Sequence, residues 1–493
     1  MFDFSTMGVF LYFLYPILLI SISIYVSLTK ETTLESYFFA DRNTHWFVLG
    51  ISFLTSTFFS PYLFGLSFDG SVSGFPFIYA AISIISLLIL GWYIAPVFQR
   101  LKINTLPEYF EKRFNRSCKY FISSLYVFSN MFFRLLVILI AGNILINFVT
   151  GVDAYFSLLF FMVITSIYLI IGGLQAEIYV GIIQIVFIAV VSISLFVWLL
   201  SQNGGLGEGV SNFSFLSYHE STTKSFFSIP EIVIGIPILA FWFYCTDQVI
   251  IQKVLSAGSS KSIRKASVVS GLFQFIPLLV FILPGITLTA LSPNLISDQQ
   301  TLAIFGGGFL PQIFQGGLFI TIAAILIASF AGLFNSTTIL ITFDFYRSIK
   351  PEASDRKLVL VGRLTIMILL CCSILLVPLS QSLTLELGIT LLKSFSFMIA
   401  LVVAVFLVGL LNKKIDAVSA LITLITITVI ILCRTLLSIF YVDDQSKGSF
   451  LNWFINSSFI EFVIVVFLLS VLCLFVFQKL DLKGDKKKSF ANA

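Results

Sequence analysis

The residues of this chain with the means to do chemistry are few, and several are charges set inside long apolar runs. Arg134 lies near the middle of a run over 118–149, and Lys393 about two turns inside one over 387–411. Arg363 and Arg434 sit within about two turns of run ends. A charge at the centre of a membrane-crossing helix costs about 2.5–3.5 kcal/mol on insertion scales, so it calls for an anion, carbonyls or water. Arg363 and Arg434 are expected to snorkel outward. Arg134 is too far from either end for that. It is expected to face a ligand or cavity, the alternative being a bond to backbone carbonyls. Lys393 either faces the same cavity or reaches outward.

Two runs carry helix-breaking residues. The run 46–66 contains Thr55-Ser56-Thr57-Phe58-Phe59-Ser60-Pro61, and the run 229–253 contains Gly235-Ile236-Pro237. Proline removes a backbone donor and clashes with the preceding turn. Within a bilayer, backbone leaves helical geometry only where protein or a water-filled cavity satisfies it. These are the first runs of two blocks of five, 45–201 and 229–411. Five is odd, so the blocks cross in opposite directions. Matched breaks in an inverted repeat point to a transporter with its site near the midplane; the alternative is two ordinary proline kinks.

Enzyme chemistry has little to stand on. The two histidines, His45 and His219, are far apart. Of the six cysteines, Cys118, Cys245, Cys371, Cys372, Cys433 and Cys473, five lie well inside apolar runs, Cys118 stands at the edge of one, and none forms a CxxC pair, so they read as small core residues. No phosphate loop, kinase signature or hydrolase elbow occurs.

The elements that must position these residues follow from composition. Of 493 residues, 58% are hydrophobic and 11% charged, with a mean hydropathy of +1.04. A soluble domain is about 45–50% apolar and about 25% charged. The chain is therefore an all-α polytopic membrane protein; continuous apolar runs exclude a β-barrel, whose strands alternate. Thirteen runs are expected to cross, at roughly 7–28, 46–66, 75–98, 118–149, 153–173, 177–201, 229–253, 267–291, 313–343, 358–379, 387–411, 416–441 and 455–478. The segment 1–30 reads as an extra helix rather than a signal peptide, 416–478 as two C-terminal helices, and 479–493 as a basic tail. Loops after odd-numbered runs, with the tail and the run-end residues Lys119 and Lys253, carry 23 of the 29 Lys and Arg. Positive residues stay cytoplasmic, so the N-terminus is expected outside and the C-terminus inside. The net charge of +5 mostly reports that topology rather than a nucleic-acid partner.

Several motifs then resemble the sodium/solute symporter family, which includes sodium–glucose, proline and sialic acid transporters. Phe38-Phe39-Ala40-Asp41-Arg42 resembles the FLAGR-like element before the second helix. Thr105-Leu106-Pro107-Glu108-Tyr109-Phe110-Glu111-Lys112-Arg113-Phe114 is similar to the TLPEYLEKRF loop. Gly172-Gly173-Leu174-Gln175-Ala176 resembles GGLKA, and Cys245-Thr246-Asp247-Gln248-Val249-Ile250-Ile251-Gln252-Lys253 the CTDQVIVQR stretch of the sugar branch. Asn335-Ser336-Thr337 with Asp344-Phe345-Tyr346, and Val405-Phe406-Leu407-Val408-Gly409, complete the order. The resemblance covers about residues 35 to 415 and implies a LeuT-type fold: an inverted five-plus-five core with one helix before and two after.

It also implies sites. A sodium ion would take backbone carbonyls of Thr55, Phe58 and Ile325 and the hydroxyl of Ser329; Ala328 replaces a usual hydroxyl ligand. The aspartate and serines of a second sodium site fall on Gly181, Ala331 and Gly332, so at most one ion is expected. The polar set of the hexose carriers falls on Tyr62, Ala81, Ala240, Gln274 and either Leu392 or Lys393, with Phe243 at the aromatic gate. Arg134 aligns with the arginine that pairs with the carboxylate in sialic acid transporters, and Thr57 and Phe77 match that pocket. The expected solute-binding residues are therefore Thr57, Tyr62, Phe77, Arg134, Phe243, Gln274 and Lys393, and the expected solute bears a carboxylate. The leading reading is a plasma-membrane transporter, functional as a monomer, importing a small organic solute (sugar acid, carboxylate or sugar-like) with Na+. Alternatives are the same fold with proton coupling or none, and a transporter-like sensor.

Overall fold

The computed structural model describes residues 6–29, 33–57, 75–150, 153–202, 228–276, 311–383, 385–440 and 450–480. Within them every regular element is helical. In chain order they are α1 (Thr6–Thr29), α2 (Leu34–Phe39), α3 (Trp46–Thr57), α4 (Ile78–Leu101), α5 (Leu106–Arg113), α6 (Arg116–Asn147), α7 (Ala154–Trp198) and α8 (Glu231–Thr246). Then come α9 (Gln248–Leu255), α10 (Ser260–Leu272), α11 (Gly316–Ile349), α12 (Asp355–Ser382), α13 (Thr390–Leu411), α14 (Ala417–Ile439), α15 (Phe450–Asn456) and α16 (Phe459–Lys479).

Among the described residues, eight helices are long and apolar enough to cross a membrane, or nine if the bent pair α8–α9 is one span. The expected thirteen crossings are therefore not all seen as separate spanning helices. One reason is α7, whose 45 residues would stretch about 68 Å, more than twice a ~30 Å hydrocarbon layer. The helix is broken at Gly173, which has φ 55°. Its contacts with α1 show what the break does. Ser23 Oγ donates to the Tyr168 carbonyl at 2.7 Å, and the Tyr15 ring meets Phe187 at 6.0 Å. Tyr15 and Ser23 are about 12 Å apart along α1, whereas residues 168 and 187 would be about 28 Å apart on a straight helix. Folded back at Gly173, they differ by about 13 Å in depth, which fits. Only glycine takes this conformation here without strain, because a Cβ would strike the Tyr37 carbonyl.

The second expected break is corrected. Gly235 closes a wide π turn, Glu231–Gly235, and Pro237 sits in the first turn of the helix that follows. The missing proline donor is absorbed there without an interruption. The bend, 41°, comes instead at Asp247, whose extended backbone (φ −73°, ψ 126°) separates α8 from α9. The break expected over 55–61 is described only to Thr57, where α3 is still helical; the rest lies outside the described residues.

Two smaller expectations change as well. Arg434 does not snorkel: it is buried and donates to the carbonyls of Phe454 at 2.6 Å and of Ile455 and Ser457 at 3.2 Å, between the rings of Phe397 and Phe462. It serves the orphan carbonyls at the end of α15. Of the six cysteines only Cys118 and Cys245 are buried; Cys371 and Cys433 are exposed on outer helix faces.

Candidate functional site

The centre of the bundle is built by helices that depart from ideal geometry. Wide π turns occur at Asn130–Arg134 in α6, Trp242–Thr246 in α8 and Leu340–Tyr346 in α11. Each inserts an extra residue into a turn and re-aims the side chains beyond it, which is why such turns gather at functional positions. Arg134 ends the first, and Trp242 and Phe243 begin the second.

Arg134 is 3% exposed, and it is not an unpaired cation. Its two terminal nitrogens face the two carboxylate oxygens of Asp247, at 3.2 Å (Nη1 to Oδ1) and 3.1 Å (Nη2 to Oδ2). The first contact is a hydrogen bond and the second an ion-pair contact, and Asp247 is 1% exposed, so the pair is desolvated. Asp247 also caps α9 by accepting from Val249 N. Beside the pair, Arg134 lies 5.9 Å from the Trp242 ring, and Tyr126 donates its hydroxyl to the Thr246 carbonyl at 2.7 Å. A narrow, half-open cleft lies next to Trp242, lined by Leu125, Tyr126, Ser129 and, on α13, Phe395, Met398, Ile399 and Val402. Arg134 thus has an internal partner that its own run does not reveal: Asp247 supplies it with a carboxylate.

The other expected residues distribute as follows. Phe243 is buried against Trp242 and Tyr244. Gln274 is fully buried just beyond α10. Lys393 stands exposed on α13, two residues before cleft-lining Phe395. Thr57 is the last described residue of α3, and Phe77 lies in the helix Phe75–Ile89. Phe58 and Tyr62 fall outside the described residues. Of the sodium set, Thr55 is buried on α3, with Gly181 of α7 packed so that a Cβ there would lie 3.1 Å from its hydroxyl. Ile325 and Ser329 are buried one turn apart on α11, and Ser329 Oγ donates to the Ile325 carbonyl at 2.7 Å. Ala328 is half-buried between them. Helices α3 and α11 pack together.

Three buried carboxylates went unnoticed in the sequence. Besides Asp247, Glu177 on α7 pairs with Lys253 of α9 at 3.0 Å. Asp344, in the α11 π turn, accepts from Thr105 and Ser123, both at 2.7 Å. The rule that flags an arginine inside an apolar run, applied to acids, finds Asp247 inside the run 229–253 and Glu177 at the start of 177–201, whereas Asp344 falls one residue past the run 313–343. The Asp344 contact also explains the Thr105–Phe114 motif. Thr105 caps α5, Leu106 N donates to Gln248 Oε1 at 2.8 Å, and Arg113 donates to the carbonyls of Gly409, Asn412 and Ile415. Helix α5 thus ties α9, α11 and α13 together at one end of the bundle. Burial lowers the Arg113 pKa and raises that of Tyr109.

The Sodium:solute symporter family matches residues 37–427, most of the chain. This chain belongs to the sodium:solute symporter family. Its members are transporters, not enzymes. Similar curated members include the human sodium/myo-inositol cotransporter 2, 26% identical over 85% of this chain and 68% of that one. The mouse sodium/glucose cotransporter 1 is 28% identical over 72% of this chain and 60% of its own length. The chain thus spans about three fifths to two thirds of these relatives. A solved Na+-coupled sialic acid symporter, substrate-bound and outward-open, superposes with a TM-score of 0.82 at 19% identity, covering 99% of this chain and 100% of that one. The fold is the LeuT-type helical bundle that the motifs implied.

Proposed function

We propose that this chain imports a small, neutral, polyhydroxylated solute together with sodium, by alternating access at the plasma membrane. The observation that carries the solute class is the buried Arg134–Asp247 ion pair beside the cleft at Trp242. The pair is neutral as a unit, and a solute carboxylate would have to displace Asp247 from its arginine. A buried carboxylate so displaced would be left uncompensated, which is expensive. Hydroxyl groups need displace nothing; they can share the outer lone pairs and N–H groups of the pair. The relatives named for glucose and myo-inositol are in keeping with a polyol. The residues at the hexose carriers' polar positions, Ala81, Ala240 and Gln274 among them, argue for a different donor set around it.

Sodium coupling follows from the family. The finer reading is one ion per cycle, held by the carbonyls of Thr55, Phe58 and Ile325 and the hydroxyl of Ser329, with Ala328 withholding one oxygen. Thr57, Tyr62, Phe77, Phe243, Gln274 and Lys393 remain the proposed solute-facing positions. The topology that fits is thirteen crossings with the N-terminus outside, in which the reversal at Gly173 makes α7 two crossings. The repeats are 45–201 and 229–411, and the chain works as a monomer with no nucleic-acid partner. Uptake into proteoliposomes of a neutral polyol and of its matching sugar acid, with and without a sodium gradient, tests the proposal. Sodium-driven uptake of the polyol is expected; preference for the acid would refute the solute class.

A further inference from the structure

We propose that the ammonium of Lys253 is a tethered stand-in for a second coupling cation, filling an oxygen shell that would otherwise take a sodium ion. The inference rests on the sodium site proposed around Thr55 and deepens it. Lys253 ends the sequence stretch 245–253, where it reads as a cytoplasmic charge, yet it is 2% exposed. Its Nζ lies 2.7 Å from Ser56 Oγ, 3.1 Å from the Ser52 carbonyl and 3.0 Å from Glu177 Oε1. An ammonium has three donors, and here each meets an oxygen. A carbonyl, a hydroxyl and a carboxylate are the ligand types a hard cation selects.

Two more oxygens stand nearby. Asn335 donates its amide to Glu177 Oε2 at 2.7 Å. Its Oδ1, and the Oγ of Ser52, are buried without a hydrogen-bond partner among the described residues. The shell also adjoins the proposed sodium site directly. Ser52 and Ser56 flank Thr55, and Thr55 Oγ1 donates at 2.8 Å to the same Ser52 carbonyl that Lys253 holds. Across the gap, Gly181 leaves no carboxylate one turn beyond Glu177. The negative charge of this region therefore sits at residue 177, and its cation arrives on a side chain. A tethered cation stays with the protein through the cycle, so a single sodium charge crosses with each neutral solute.

The test is the sodium dependence of solute uptake in proteoliposomes for the whole chain, Lys253→Ala, Glu177→Gln and the double variant. The unaltered chain is expected to show a sodium Hill coefficient of about one, and Lys253→Ala one approaching about two, because the vacated shell now admits an ion. The double variant should return to about one, since the shell has lost its carboxylate. Glu177→Gln alone leaves the ammonium uncompensated beside the sodium carbonyls and should weaken sodium at least about tenfold. A coefficient that stays near one in Lys253→Ala, with uptake intact, overturns the inference while leaving the sodium reading standing. Absence of any sodium dependence in the unaltered chain sinks that reading instead. If Lys253→Ala is not recovered folded in potassium, recovery in high sodium or lithium is the expected result; no recovery in either salt, or unchanged sodium affinity in Glu177→Gln, overturns the stand-in.

Discussion

Replacing Asp247 by Asn puts the neutral-solute reading to a quantitative test. The carboxylate is 1% exposed and meets both terminal nitrogens of Arg134 at 3.1–3.2 Å. Asparagine preserves the shape but removes the charge, leaving an arginine 3% exposed with no counter-ion on Asp247's side. Breaking one member of a buried pair costs about 3–5 kcal/mol, so the purified variant should melt well below the parent. The same uncompensated guanidinium becomes a receptor for an anion. A hydrogen bond to a charged group contributes about 1.5–3 kcal/mol, and about 1.4 kcal/mol is tenfold in affinity. Asp247→Asn should therefore shift preference from a sugar or polyol toward its carboxylate analogue by about 10- to 100-fold. Competition against labelled-solute uptake reads that shift, and thermal unfolding reads the stability. Adding Arg134→Gln should restore most of the stability and abolish the new preference for acids. If Asp247→Asn keeps the parent's selectivity, or the parent itself favours the acid tenfold, the pair does not set solute charge and the argument fails.

Ser329→Ala should raise the sodium concentration for half-maximal uptake by about tenfold or abolish the dependence, and Ala328→Ser should lower it, because each changes one hard oxygen; sodium titration of uptake decides. Cysteines at Thr57 or Phe77 should react with thiol reagents and be protected by solute, whereas one at exposed Leu472 on α16 should show no protection; equal behaviour at all three positions would count against a cavity between α3 and α4. Gly173→Ala forces a side chain into positive φ against the Tyr37 carbonyl, which costs at least about 1–2 kcal/mol for the conformation alone, so yield and melting temperature should fall. Asp344→Ala strands the hydroxyls of Thr105 and Ser123 and loosens the hold of α5; a loss of about 3 kcal/mol in stability is expected, measured by thermal unfolding.

The membrane class, the helical architecture and the family were legible in the sequence because each is written in local terms. Twenty-residue apolar runs follow from bilayer thickness, and the motifs from Phe38 to Gly409 keep their order along the chain. Arg134 was legible as a residue needing a partner, since burial of a charge is a property of its own run. What it pairs with was not. Asp247 lies 113 positions away, at a break that adds no distinctive breaker residue, and only packing α8–α9 against α6 brings the two forks together. The proline that drew attention, Pro237, turned out to be accommodated by a π turn. Lys253 shows the same divide: its position near a run end reads as a cytoplasmic charge, whereas two helices, α3 and α7, enclose it with oxygens from Ser52, Ser56 and Glu177. The sequence by itself determines which groups are too costly to leave alone in a membrane. Tertiary structure decides which of them neutralise one another, because ion pairing depends on distances of about 3 Å between helices that the chain reaches only through its fold.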